Sequence, residues 1–250
     1  MFPVRDRLPT RSVPVVNYLL IAANVAVFVW QMALDEARGP AQTVAEAYGF
    51  VPRELVRDPL VESTHIVSAM FLHGGLGHLG GNMLYLWIFG DNVEDAVGHR
   101  RYLLFYLLGG VAAALVQMAV DPTSPVPMVG ASGAIAAVLG AYMALYPRSP
   151  ITVVNPVPLF WFAYGLFFDL PAWFVILEFF VLNLLSGVSS LASMRHGAGG
   201  VAFFAHIGGF VAGLLLVKPF TLGRTLVTAE RWGGWQAPAR RPSGRRDPWS

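Results

Sequence analysis

Long runs of apolar residues, separated by polar segments, extend along most of the chain. Runs of this kind are typical of helices that cross a membrane, where about 20 residues span the hydrocarbon core. The pattern predicts six spans, at residues 13–33, 77–89, 102–120, 132–146, 170–186 and 201–217. We therefore expect an all-α fold, a polytopic six-transmembrane-helix bundle over residues 13–218.

The segments outside these spans differ in character. Residues 1–12 form a short N-terminal segment, and residues 34–66 form a long first extramembrane loop whose apolar patches favour contact with the membrane surface. Residues 151–168 are apolar but contain two prolines, which a helix interior tolerates poorly. We interpret residues 151–168 as an interfacial or re-entrant segment.

Composition agrees with a membrane protein and narrows its chemistry. The chain is 55% hydrophobic and 13% charged, with a mean hydropathy of +0.55. It contains no cysteine, which excludes a disulfide framework and thiolate chemistry. Residues 219–250 are basic and rich in proline and glycine, which predicts a mostly disordered tail. Such a tail suits anionic lipid headgroups as a partner better than nucleic acid.

The distribution of basic residues predicts the orientation in the membrane. Six spans put both termini on one side, and with the termini inside, 13 of the 17 lysines and arginines lie on the inner side. An excess of Lys and Arg marks the cytoplasmic side. We therefore expect both termini in the cytoplasm, and the plasma (inner) membrane if the source is bacterial. Spans two, four and six then run from outside to inside.

Three polar residues on these three spans share one depth. Counted back from the inner boundaries, His78, Ser132 and His206 lie about 20, 24 and 18 Å above the inner surface, at about 1.5 Å per residue. Polar side chains are costly in lipid and by default face a bundle interior or a water-filled cavity. This layer, in the outer half of the membrane, is therefore the candidate functional site.

The residue types in this layer suit acyl transfer. A serine hydroxyl becomes nucleophilic when an imidazole takes its proton, so Ser132 and His206 have the constitution of a nucleophile and its base. No third acidic group is evident. His78 and Asn82 are four residues apart on one helix face, and with the backbone N–H groups at Ser132 they are candidate oxyanion donors.

Together these motifs resemble the rhomboid intramembrane serine proteases. The matching motifs, which keep their order and their assignment to spans two, four and six, are His73-x4-His78-x3-Asn82, Gly130-x-Ser132-Gly133 and Ala205-His206-x2-Gly209-x3-Gly213. The resemblance covers roughly residues 13–218.

The resemblance implies a serine-type endopeptidase that needs no cofactor or metal. A Ser132–His206 dyad would cleave a peptide bond near the outer end of transmembrane protein substrates, with His78, Asn82 and the Ser132 backbone stabilising the oxyanion. Gly130 and Gly133 would support the serine turn, and Gly209 would let span six approach span four. Residues 159–180, rich in Phe and Trp, are the expected lateral gate for substrate.

The chain departs from the family at two places. Thr64-His65 stands where many members have Trp-Arg in the first loop, which bears on how that loop is anchored. Ala136, one turn after Ser132, replaces an aromatic residue that often packs against the catalytic histidine. The second departure leaves open how His206 is positioned.

Other readings of the same residues remain. Serine in a small-residue span is commonly a packing residue, His206 could be a satisfied core histidine, and His78 and Asn82 could hold helices together by hydrogen bonds. His73 lies near the entrance of span two, where a structural role is the simpler reading. At the level of function, the alternative is a catalytically inactive rhomboid-like protein that binds membrane helices without cutting them.

Two further classes fit less well. A transporter would need an ion or substrate relay, yet acidic residues within the spans occur only at Asp169 and Glu178, near span five. A zinc peptidase could be assembled from His73, His78 and His206, but the chain has no His-Glu-x-x-His motif and no carboxylate in the layer. The physiological substrate, its cleavage motif and the oligomeric state leave no signature in the sequence.

Overall fold

The computed structural model describes residues 2–39, 43–155, 165–193 and 203–226. Most of these residues are helical. The helices are α1 (Val15–Arg38), α2 (Val44–Tyr48), α3 (Pro59–Ala69), α4 (Leu76–Val97), α5 (His99–Val120), α6 (Ser132–Leu145), α7 (Ala172–Ser193) and α8 (Phe203–Phe220). Three strands accompany them, β1 (Phe2–Asp6), β2 (Pro150–Val154) and β3 (Phe167–Pro171), together with a 3₁₀ turn at Pro52–Glu54.

Helix α6 forms the centre of the molecule. Its residues from Ala134 to Tyr142 are all buried, and it packs against α4, α5, α7 and α8. Small residues permit this, because they let helix backbones approach closely. A Cβ built on Gly209 or Gly213 of α8 would overlap the carbonyl oxygens of Gly133 and Ala137 on α6.

Three helices of the described residues are long and apolar enough to cross a membrane. These are α1, α5 and α8, while α6 and the first half of α7 are shorter apolar helices. Helix α6 begins at Ser132 as the sequence predicts, because Gly130, with φ +123°, reverses the chain just before it. It ends before Pro147, as expected.

Helix α4 extends eight residues past the predicted end of span two at residue 89. The additional turns stay helical although they are acidic, because their carboxylates have partners. Glu94 accepts the backbone N–H groups of Val16 and Asn17 at the start of α1, at 3.0 and 2.7 Å. The carboxylate therefore satisfies donors that no residue within α1 can satisfy. Helix α7 likewise runs from residue 172 to 193, later at both ends than the predicted span at 170–186.

A small antiparallel sheet, in the order β1-β2-β3, was not expected from the sequence. Strand β2 pairs with β1 on one side and with β3 on the other. The N-terminal segment is thus partly a strand. The two ends of the segment 151–168 form β2 and β3, residues 156–164 lie outside the described part, and its interfacial or re-entrant location stays a prediction. Ile151 and Val153 are buried, which explains the apolar character of this segment.

The first loop is folded rather than extended. It contains α2, the 3₁₀ turn and α3, and α2 begins with a capping box between Thr43 and Glu46. Thr64 and His65 lie on α3, where His65 Nδ1 is 3.2 Å from Glu62 Oε2. The predicted tail begins at residue 219, but α8 continues to Phe220, so the helix includes the first two residues of that segment. Residues 221–226 follow α8, and residues 227–250 lie outside the described part.

Candidate active site

Ser132 and His206 meet between α6 and α8. The Ser132 hydroxyl is the first side chain of α6, and His206 lies in the first turn of α8. His206 Nε2 is 2.7 Å from Ser132 Oγ. His206 is 4% exposed and Ser132 is partly buried. The distance is that of an O–H to N hydrogen bond, so the imidazole is placed to accept the serine proton.

Glycines set this distance. Because a side chain at Gly209 would overlap the Gly133 carbonyl, the first turns of α6 and α8 can touch only with glycine there. A Cβ on Gly133 would lie 2.6 Å from the Ala113 Cβ of α5, on another side of α6. At Gly130 a Cβ would lie 2.7 Å from His78 Nε2. The three glycines singled out in the sequence therefore all lie at close helix or side-chain contacts.

His206 has no carboxylate partner in the described residues. Its Nδ1 atom is buried and without a hydrogen-bond acceptor in that part of the chain. Instead, the ring of Phe179 on α7 packs edge-on against the imidazole, with ring centroids 5.8 Å apart. Ala136 on α6 is fully buried next to Gly209 of α8, and the aromatic contact to His206 comes from Phe179 on α7. Sequence reasoning missed Phe179, because nothing in its local pattern distinguishes it from the phenylalanine beside it.

His78 and Asn82 lie on α4, facing the turn that precedes Ser132. His78 Nδ1 accepts the backbone N–H of Gly74 at 3.3 Å, which leaves Nε2 on the side of Gly130. Asn82 is 6% exposed, and its Nδ2 has no hydrogen-bond partner among the described residues. Both side chains therefore bring a nitrogen close to Gly130, two residues before Ser132.

Two glutamines hold backbone next to this cluster. Gln117 Oε1 on α5 accepts the N–H of Ala205 at 3.2 Å, which anchors the first turn of α8 beside His206. Gln31 on α1 is bonded to the backbone of His73. The signal in the sequence was a polar amide within an apolar helix, where an unpaired amide is costly.

An open cavity of about 50 Å³ adjoins Ser132. Residues from the first loop and from α5 and α6 line it, among them Phe50, Met70, Gly110, Met128, Ser132 and Gly133. Ser132 is therefore part of the wall of this cavity. No group of three or more His, Asp or Glu side chains within the described ranges is arranged to hold a metal ion.

Comparison with known proteins gives consistent matches. A family model described as "Rhomboid domain" matches residues 61–222. "Rhomboid protein 1, mitochondrial" of Saccharomyces cerevisiae is 30% identical over 149 residues, 56% of this chain and 40% of that protein. "Rhomboid protease GluP" of Bacillus subtilis is 34% identical over 137 residues, 54% of this chain and 26% of that protein.

A human relative gives a similar match. "Presenilin-associated rhomboid-like protein, mitochondrial" of Homo sapiens is 30% identical over 150 residues, 58% of this chain and 36% of that protein. The chain thus spans less than half the length of each of these three relatives. The matched family region contains Ser132, His206, His78 and Asn82.

Proposed function

Because the chain belongs to the rhomboid family, as the match over residues 61–222 shows, we propose that it is an intramembrane serine protease with a Ser132–His206 dyad. The observation that carries the proposal is the 2.7 Å contact between His206 Nε2 and Ser132 Oγ. The buried donors of His78 and Asn82 beside it support the assignment. Hydrolysis of a peptide bond needs a nucleophile, a base and an oxyanion site, and the side chains that we propose for these roles lie close to one another.

The reaction follows from the geometry in two halves. Ser132 Oγ attacks the carbonyl carbon while His206 Nε2 takes its proton, and the carbonyl oxygen becomes an oxyanion. His78 Nε2–H, Asn82 Nδ2 and the Ser132 backbone N–H donate to that oxyanion. His206 then returns the proton to the leaving amine, which departs and leaves an acyl-enzyme. A water attacks this ester with His206 again as base, and proton return to Ser132 Oγ frees the acid product.

The cavity beside Ser132 is proposed as the place for the side chain next to the cleaved bond. Its space of about 50 Å³ and its lining by Phe50, Met70 and Met128 suit an apolar side chain. The substrate class is transmembrane proteins, whose helix must unwind locally for its backbone to reach Ser132. Residues 159–180 are the proposed place of lateral entry from the lipid, and their described part contains β3 and the first half of α7.

The family consists of integral membrane proteins, and we propose the domain organisation accordingly. Residues 13–218 form the membrane domain with six spans, of which α1, α5 and α8 meet the length and composition of full spans. Residues 1–12 and 219–250 are the flanking segments, both cytoplasmic, in a plasma membrane if the source is bacterial. Lipid is the surrounding partner, and the oligomeric state is not part of the proposal.

Cleavage of a model transmembrane substrate by purified protein in liposomes tests the proposal. Wild type should cut it, and Ser132→Ala and His206→Ala should each lower the rate by at least about a thousandfold. A substrate with a charged side chain before the scissile bond should be cut more slowly than one with alanine there, because the cavity lining is mostly apolar. Wild type that is folded, binds transmembrane helices and cuts none of several substrates would favour the inactive binding protein instead.

A further inference from the structure

Gln31 of α1 makes two hydrogen bonds to one residue of the loop before α4. Its Nε2 donates to the carbonyl oxygen of His73 at 2.9 Å, and its Oε1 accepts the N–H of His73 at 3.1 Å. Gln31 is 6% exposed and His73 is fully buried. The side-chain amide thus binds this stretch of backbone as a neighbouring strand would, 42 residues away in sequence.

The bond to the His73 carbonyl reaches His78 through a single peptide group. The carbonyl of His73 and the N–H of Gly74 belong to the same planar trans unit, in which they point in opposite directions. Gln31 holds the carbonyl end, and the N–H end donates to His78 Nδ1 at 3.3 Å. Rotation of this peptide plane would therefore break both contacts at once.

That N–H decides which nitrogen of His78 carries the proton. A neutral imidazole has one donor and one acceptor nitrogen, and an acceptor Nδ1 requires the proton on Nε2. Nε2 is the atom that faces Gly130 and the turn before Ser132. The His73 ring, 5.2 Å from the His78 ring and edge-on to it, closes the other side.

We propose that Gln31 is a positioning residue for the oxyanion site. By fixing the His73–Gly74 peptide it keeps the His78 proton on Nε2, directed toward the substrate oxygen. This inference rests on the proposed function for its kinetic consequence, but the state of His78 can be measured without any turnover.

The loop itself needs such an external tie. Gly74 and Gly75 follow His73, and Gly75 has φ +156°, so the chain here has little intrinsic conformational preference.

A contrasting residue lies two turns earlier on the same face of α1. Asn24 is also buried, yet its Nδ2 bonds the Leu20 carbonyl of its own helix. Asn24→Leu is therefore the matched control for Gln31→Met, which preserves length and removes both hydrogen bonds.

The direct measurement is ¹⁵N NMR of protein labelled at its six histidines, with the His78 signals assigned by a His78→Phe variant. Wild type should show a protonated Nε2 and an unprotonated, hydrogen-bonded Nδ1 at His78. Gln31→Met should shift these signals toward a mixture of tautomers, and Asn24→Leu should leave them in place. A proton on Nδ1 in wild type, or unchanged His78 signals in a folded Gln31→Met, would overturn the inference.

Kinetics supply the second readout. Gln31→Met should lower kcat by about ten- to a hundredfold, because a displaced oxyanion donor weakens the transition state. KM should change by less than about twofold, because substrate binding does not use this donor. A variant that loses thermal stability while its kcat and His78 signals stay at the wild-type values would make Gln31 merely structural. A wild type that cuts no substrate would defeat the proposed function, while the NMR result would still decide the role of Gln31.

If Gln31→Met does not fold, Gln31→Leu and the wild-type tautomer measurement decide the matter. Gln31→Leu removes the same two bonds with a branched apolar chain, so the same shift in the His78 signals is expected. The wild-type spectrum needs no variant at Gln31 and contradicts the inference by itself if His78 carries its proton on Nδ1.

Discussion

The orientation of the His206 ring depends on packing. One ring nitrogen is 2.7 Å from Ser132 Oγ, and the other, Nδ1, has no acceptor within the described residues. In a triad a carboxylate would hold that second nitrogen. Here the ring of Phe179, itself packed against Tyr85 with centroids 4.8 Å apart, contacts the imidazole edge-on, and we expect this contact to hold the imidazole plane.

We predict that Phe179→Leu lowers kcat more than it lowers stability. Leucine keeps most of the buried volume but loses the edge-on ring contact with His206, so the imidazole samples orientations in which Nε2 misses Ser132 Oγ. The expected loss in kcat is about tenfold, since small misplacements of catalytic groups have large effects on rate. Steady-state cleavage of the liposome substrate, with a thermal unfolding midpoint for each variant, measures both quantities.

The control for this variant is Phe174→Leu, on the same helix at a half-exposed position whose ring contacts Trp173. It should keep wild-type kcat. Equal losses of rate in Phe174→Leu and Phe179→Leu would mean that α7 as a whole, and not the contact with His206, had been disturbed.

The sequence reveals the residues of the site whose signal is local. Spacing on α4 joins His78 and Asn82, and the shared depth of three helices joins them to Ser132 and His206, as the structure also brings them together. Phe179, Gln31 and Gln117 act through contacts between elements far apart in the chain. A phenylalanine is ordinary in an apolar helix. A glutamine there is unusual, but the pattern of its own helix does not show which residue it contacts.

The elements show a similar division. The bounds of helix α6 are predictable because glycine precedes its start and proline follows its end. The sheet is not, because β1 is only five residues long and its partner strand lies about 150 residues away. Strand β1 is fixed by side chains as well as by pairing. Asp6 accepts hydrogen bonds from Tyr142 of α6, from Asn92 of α4 at 3.0 Å and from the Leu8 N–H at 2.9 Å.

We predict that the carboxyl of Asp6 makes the stability of the packed strand β1 depend on pH. Burial, with a smaller contribution from the Asp91 carboxyl, raises the pKa of Asp6 to about 7, although its hydrogen bonds act in the opposite direction. A carboxyl with a raised folded-state pKa holds its proton more tightly in the folded protein. Its stabilising contribution is therefore complete below about pH 4 and is lost as the pH rises through about 7.

We expect wild type to lose on the order of 1–2 kcal/mol more stability than Asp6→Asn between pH 5 and pH 8. Asparagine cannot ionise, so Asp6→Asn lacks this pH-dependent contribution to stability and is the reference for wild type. Thermal unfolding midpoints of both proteins at several pH values in one detergent measure the difference. Parallel curves for wild type and Asp6→Asn would show that Asp6 does not titrate in this range.

Proteolysis at the proposed site requires that the protein take one orientation in the membrane. The site lies at the start of α6 and α8, and proteolysis requires water to reach it. In the orientation that we propose, these helix ends face the outer side, and the sheet and the C-terminal ends of α4 and α6 face the inner side. Basic residues favour the same orientation. The chain has no cysteine, so single cysteines can report the side of each loop without background.

We predict that Arg57→Cys is labelled by a membrane-impermeant maleimide in intact cells and that Arg148→Cys is labelled only after permeabilisation. Arg57 lies in the first loop with a side chain that is 72% exposed, and Arg148 is exposed after the end of α6. The unmodified chain is the blank. Labelling of both cysteines in intact cells, or of Arg148→Cys alone, would contradict the orientation.

Covalent capture tests whether Ser132 is a nucleophile activated by His206, and it needs no choice of substrate. A fluorophosphonate probe reacts with an activated serine, forming an Oγ–phosphorus bond as fluoride leaves. Peptide mapping by mass spectrometry should find the adduct on Ser132 in wild type, a rate at least about a thousandfold lower in His206→Ala, and no adduct in Ser132→Ala. A folded wild type that stays unlabelled at Ser132, or that labels equally fast without His206, would contradict the account.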